Sequence, residues 1–234
     1  MAKRRSLAEP QTLQPAEPDL SPVHKKAIEG ALRWAWQQLV AANEAVLNQG
    51  SEEAITTAIE VQLGRIENGR RVAPGLKDFD HPVRGAKQQT ADGRIEKQPD
   101  LTFRPPVYRY PRVTNTAVWG YFVECKLIED GHASRTITSY SNEGIRRFAI
   151  GEYAARMPSG MMLAFVRGNT LPVPSLDALL PLHGAAAVTP GETIDSCSTL
   201  HPRQSLSVPC IDVALTHLWL QTPTEPNMHG EASR

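Results

Sequence analysis

No stretch of this 234-residue chain approaches the roughly 18–20 consecutive apolar residues that a membrane-spanning helix needs, so no membrane partner is expected. Charge of one sign is not in excess either. Lys+Arg and Asp+Glu number 25 each, and no overall field draws the chain to nucleic acid or to a lipid surface. Cysteine is scarce: Cys125, Cys197 and Cys210 are an odd number at unremarkable spacings, which suits a reducing compartment, and the expected location is the cytoplasm. The opening MAKRRSLAEPQ is basic with no apolar segment behind it, so no secretory signal is expected. There is no Gly-rich phosphate loop, no His-Glu-x-x-His and no Gly-x-Ser-x-Gly, which leaves P-loop nucleotide hydrolysis, zincin proteolysis and esterase chemistry without support. Internal repeats are absent too.

What remains has the composition of a globular protein, 41% hydrophobic and 21% charged. Residues 1–20, rich in Pro, Gln, Glu and Ala, read as a disordered arm, and the stretch from 222 as a disordered tail. Between them, 21–221 is expected to form one domain. A helix is expected from Ser21 through Leu47, with Trp34 and Trp36 as packing residues, and a second over 51–66 capped by Ser51. Short and long strands are expected at 101–104 and 117–128, then a helix over 138–156 and a strand in GMMLAFVRG. A loop with one short helix should fill 169–195, and a last strand runs through Ile211, Val213 and Leu215. The order predicts an α/β fold, a mixed sheet flanked by helices.

One strand carries charges where it should be apolar. In WGYFVECKLIED, Glu124 and Lys126 stand two apart and so share a face about 6–7 Å apart, with Val123, Cys125 and Leu127 on the other. A surface ion pair accounts for this, and so does a site. Asp100, in KQPDLTF, opens the preceding short strand. If the two strands pair, two carboxylates and an ammonium meet, and carboxylates brought together call for a hard divalent cation with oxygen ligands, such as Mg²⁺.

Pro99-Asp100 followed after twenty-three residues by Glu124-Cys125-Lys126 resembles the signature of the PD-(D/E)xK, or restriction-endonuclease-like, nuclease superfamily. The resemblance implies a three-layer core, ordered helix, three strands, helix, strand, with the acids on the second and third strands. The first of those strands is expected somewhere in 67–97. It further implies Mg²⁺, replaceable by Mn²⁺, held by Asp100, Glu124 and the backbone carbonyl of Cys125, with Lys126 positioning the attacking water. Members also carry an acid on the first core helix. SEEAIT is similar to the E-x-x-I-T helix start of some of them, and Glu52 lies nearest the middle of the apolar stripe Ile55, Ile59, Leu63 and Ile66, with Glu60 second. The plain alternative is that Glu52 and Glu53 only favour the helix N-terminus.

Arg146 and Arg147 on the following helix are candidates for phosphate contacts. His201 and Arg203 are further candidates to stand near the substrate. Cys197, His201, Cys210 and His217 lack the short ligand spacing of structural zinc sites, so zinc is not expected. By resemblance the expected activity is phosphodiester hydrolysis of nucleic acid, DNA ahead of RNA, in an anti-phage or restriction setting. The expected protein partner is a second copy of this chain or a protein from the same operon. The alternative is a catalytically inactive subunit of that fold that binds nucleic acid or a partner protein.

Overall fold

The computed structural model describes residues 16–85, 88–89, 95–168, 173–184, 188–203 and 212–223. Most of the expected arm (1–15), Cys210, and the expected tail from 224 onward lie outside these residues. The helices are α1 (Pro22–Ala41), α2 (Val46–Gln49), α3 (Glu52–Gly64), α4 (Ile137–Ser139), α5 (Arg146–Ala149) and α6 (Val173–Leu179). The strands are β1 (Ile66–Glu67), β2 (Arg70–Arg71), β3 (Gln88–Gln89), β4 (Ile95–Lys97), β5 (Leu101–Phe103), β6 (Tyr121–Glu129), β7 (Ser159–Arg167), β8 (Val188–Pro190), β9 (Ser196–Pro202) and β10 (Asp212–Gln221). Six form one mixed sheet in the order β5-β6-β7-β10-β9-β8, in which β7 runs parallel to both β6 and β10 and the other pairings are antiparallel. This is the α/β architecture expected, a mixed sheet flanked by helices.

The central strand β7 is buried along all nine residues, as a strand covered on both faces must be. On one side α1 lays down Ile28, Leu32, Ala35, Trp36 and Leu39, and the Trp36 ring stacks on Phe165 with centroids 5.7 Å apart. Trp36 and its half-buried neighbour Trp34 are therefore packing residues. Pro22 in the first turn and the Ser21 cap start the helix where expected. It stops early, because Asn43 takes a left-handed φ of 51° and turns the chain into the separate short α2.

Four further expectations are corrected. The arm does not extend to residue 20. Glu17 is buried, its carboxylate bound to Arg156 Nη2 (2.8 Å), Thr114 Oγ1 (2.6 Å) and the Thr114 amide (2.9 Å), and Trp119 donates its indole N–H to the Pro18 carbonyl. The helix expected over 138–156 ends at Ala149, since Gly151 and Ala154 both take positive φ, and its middle, Tyr140–Ile145, is π-helical. The segment 67–97 gives two separate two-stranded ribbons, β1-β2 and β3-β4, and not a strand of the main sheet. Only Val83 bridges to Thr102 beside β5, and Pro82, which has no N–H to donate, precedes it. Finally, β9 falls in a region where no strand was expected. Its inward positions are Cys197, Thr199 and His201, while Leu200 faces out, so its apolar pattern is inverted.

The inward polar groups of β9 join a buried chain. Tyr140 Oη lies 2.7 Å from His217 Nδ1, and Thr199 Oγ1 lies 2.8 Å from His217 Nε2 and 2.7 Å from His201 Nε2. Burial pushes both imidazoles down, to about 3 and about 4, so they are neutral. Arg203, also fully buried, donates to the carbonyls of Phe148, Tyr153 and Ala154. His201 and Arg203 are thus interior groups.

Candidate active site

The site forms where β5 gives out. β5 pairs with β6 from Phe103 opposite Tyr121 to Leu101 opposite Val123, and there it starts. Beyond Val123 the edge of β6 has no strand beside it, yet its amides still need acceptors. Amides two apart on a strand point the same way, and here two carboxylates take the place of the missing strand. Asp100 Oδ2 accepts from the Cys125 amide at 2.7 Å, and Glu52 Oε2 accepts from the Leu127 amide at 2.8 Å. Asp100 reaches this position because it immediately precedes β5. Glu52 reaches it as the first residue of α3, whose Ile55, Ile59 and Leu63 are buried.

The charged face of β6 completes the cluster. Lys126 Nζ lies 2.9 Å from Glu52 Oε1 and 3.1 Å from Glu124 Oε1, and Arg147 Nη1 lies 3.0 Å from the same Glu124 oxygen. Glu124 is 2% exposed. Arg147 also donates to Tyr153 Oη at 2.7 Å and sits over that ring, and Tyr153 donates in turn to the Gln98 carbonyl. Three carboxylates (Asp100, Glu124, Glu52) therefore face two cations (Lys126, Arg147), one negative charge in excess when all are ionised.

That excess shows in the titration of the acids. Burial, then the charge of Asp100, pushes Glu124 up to about 8 despite Lys126 and Arg147. Burial also raises Asp100, against the pull of the Cys125 amide and Lys126. Burial opposes the charge of Lys126, but Glu124 and Glu52 outweigh it and its pKa is raised. Burial drives the Cys125 thiol well up, so Cys125 offers its backbone and not a thiolate.

All four predicted acidic and basic positions, Asp100, Glu124, Lys126 and Glu52, thus meet at one point. Glu60 does not join them: it faces His81 and Arg84, at 3.8 and 3.9 Å. Arg147 belongs to the cluster through Glu124, whereas Arg146 is exposed on the turn before it. Tyr153, read from sequence as a residue packing on the sheet, is a polar member of the site. Nothing local in the sequence marks that role, because it depends on the turn at Gly151.

Among the described residues, no three His, Cys, Asp or Glu side chains form a group able to hold a metal ion by themselves. The available set is smaller: the Asp100 and Glu124 carboxylates, each with one oxygen free of the contacts above, and the Cys125 carbonyl, which points to the same edge as its amide. Mg²⁺ is commonly held by one or two carboxylates with water and substrate phosphate completing its shell, so this donor set fits it. No described helix is long and apolar enough to cross a membrane. No known protein family, curated protein or solved structure matches this chain.

Proposed function

We propose that the protein is a Mg²⁺-dependent nuclease with a restriction-endonuclease-like core, hydrolysing phosphodiester bonds of nucleic acid, DNA ahead of RNA, in an anti-phage or restriction setting. The observation that carries this reading is the convergence of Asp100, Glu124 and Lys126 at the open edge of β6, with excess negative charge in a largely buried place. The order α3, Val83 bridge, β5, β6, helix, β7 agrees with the core that the Asp100…Glu124-x-Lys126 resemblance implies.

In this reading Asp100, Glu124 and the Cys125 carbonyl hold the ion. Mg²⁺ there supplies Lewis acidity to a phosphoryl oxygen and eases formation of hydroxide from water. Lys126, held by Glu52 and Glu124, keeps an ammonium beside the reacting phosphate, where it orients the attacking water and stabilises the charge that develops. Glu52 fixes the ammonium by accepting from it with one oxygen while the other is tied to the Leu127 amide.

The test is plasmid DNA incubated with purified protein and Mg²⁺ or Mn²⁺. Nicking or linearisation with metal, absent with EDTA and absent for Asp100→Asn, is the expected result. Intact plasmid that is retarded on a gel with or without metal would instead assign the protein to a binding role.

A further inference from the structure

Glu124 carries more cation than its geometry requires. Both Lys126 and Arg147 converge on its Oε1, at 3.1 and 3.0 Å, and the two differ in what else holds them. Lys126 has Glu52 and is 13% exposed. Arg147 is 34% exposed, and its second anchor is neutral, the Tyr153 hydroxyl at 2.7 Å with the ring beneath the guanidinium at 5.6 Å. Glu152, at 4.0 Å from Nε, is only a marginal partner. Arg147 is therefore the cation of the pair that can leave Glu124 and still be held in place.

Building on the nuclease reading, we propose that Arg147 is a gate on this site. In the metal-free protein it occupies Glu124 in place of a divalent ion. When Glu124 turns its charge to metal, the guanidinium stays over Tyr153 and becomes a phosphate contact. The electrostatics give the sign. A guanidinium on Glu124 opposes an incoming cation, and a cation on Glu124 weakens the hold on the guanidinium. Metal and nucleic acid then bind with positive coupling, because each favours the state in which Arg147 has left the carboxylate. Tyr153 is the positioning residue: its hydroxyl accepts from Arg147 and is fixed by donating to the Gln98 carbonyl, two residues before Asp100. Its neighbourhood is held in turn by buried Arg203, which donates to the Tyr153 and Ala154 carbonyls.

The inference has a signature that a merely structural ion pair lacks, since removing Arg147 should improve metal binding. Calorimetric titration of Mn²⁺ into the protein without nucleic acid should show Arg147→Gln binding more tightly than wild type, by about 5- to 50-fold. Arg147→Lys, which keeps the charge, should stay near wild type. Unchanged or weaker Mn²⁺ binding by folded Arg147→Gln overturns the gate. A second measurement needs no variant. Fluorescence anisotropy of a short DNA duplex on wild-type protein should give at least about fivefold tighter binding in Ca²⁺ than in EDTA, with the duplex checked on a gel for integrity. Equal affinity in both overturns the coupling. Metal and duplex each binding wild type independently defeats the gate alone, whereas no metal uptake by wild type, with or without duplex, defeats the nuclease reading with it.

Discussion

Lys126→Ala is expected to lower metal-dependent plasmid cleavage by about 10²–10⁴-fold, the range typical of a lost positioned proton-transfer or charge-stabilising group. The ammonium is the only cation bound to both Glu52 and Glu124, at 2.9 and 3.1 Å, so no neighbour replaces it in place. Arg147 reaches Glu124 but has no described contact with Glu52. The substitution also removes charge from a place with carboxylates in excess. Circular dichroism and the melting temperature must therefore be read beside the rate, and Lys126→Met, which keeps the apolar stem, separates the two effects. Both variants should still take up Mn²⁺, because Lys126 is not among the groups that would hold it. Cleavage within threefold of wild type in both would remove Lys126 from the chemistry.

The second large effect is on stability and lies far from the site. Glu17→Gln should destabilise the fold by about 3–5 kcal/mol, the usual consequence of removing one partner of a buried ion pair. The Glu17 side chain is fully buried and Arg156 nearly so, and the carboxylate also accepts from the Thr114 hydroxyl and amide. For a domain of this size the loss corresponds to a fall in melting temperature of about 10 °C. Thermal unfolding in EDTA checks it. A fall of only a degree or two would mean that the pair behaves as a solvated surface contact.

The elements legible from sequence are those whose burial follows their hydrophobic period. α1, α3, β6, β7 and β10 bury apolar residues at helical or strand spacing, and each lies close to its expected place. β9 escaped because it buries Cys197, Thr199 and His201 and exposes Leu200, which reverses the pattern. Its interior is closed by hydrogen bonds between groups far apart in the chain, and no local pattern announces them. The strap at 16–20 escaped for the same reason: its polar composition reads as disorder until Arg156 and Thr114 are placed beside Glu17.

The site divides along the same line. Glu124 and Lys126 are a local pair and were visible as charges out of place on a strand. Asp100 and Glu52 needed one assumption each, that β5 pairs with β6 and that α3 turns its apolar stripe inward, and both geometries are present. The service these two carboxylates give to the Cys125 and Leu127 amides could not be anticipated, since it arises from β5 starting only at Leu101. The Arg147–Tyr153 contact depends on the helix ending at Ala149 and the turn at Gly151.

The central claim, that Asp100 and Glu124 meet to hold a divalent ion, is tested most directly by calorimetry of Mn²⁺ uptake between pH 6 and 9. With its pKa at about 8, Glu124 holds a proton through the lower part of that range and must release it to become a ligand. The account predicts one binding event that strengthens as pH rises towards 8, levels off above it, and is lost in Asp100→Asn. No uptake at any pH, or uptake indifferent to Asp100→Asn, would contradict it.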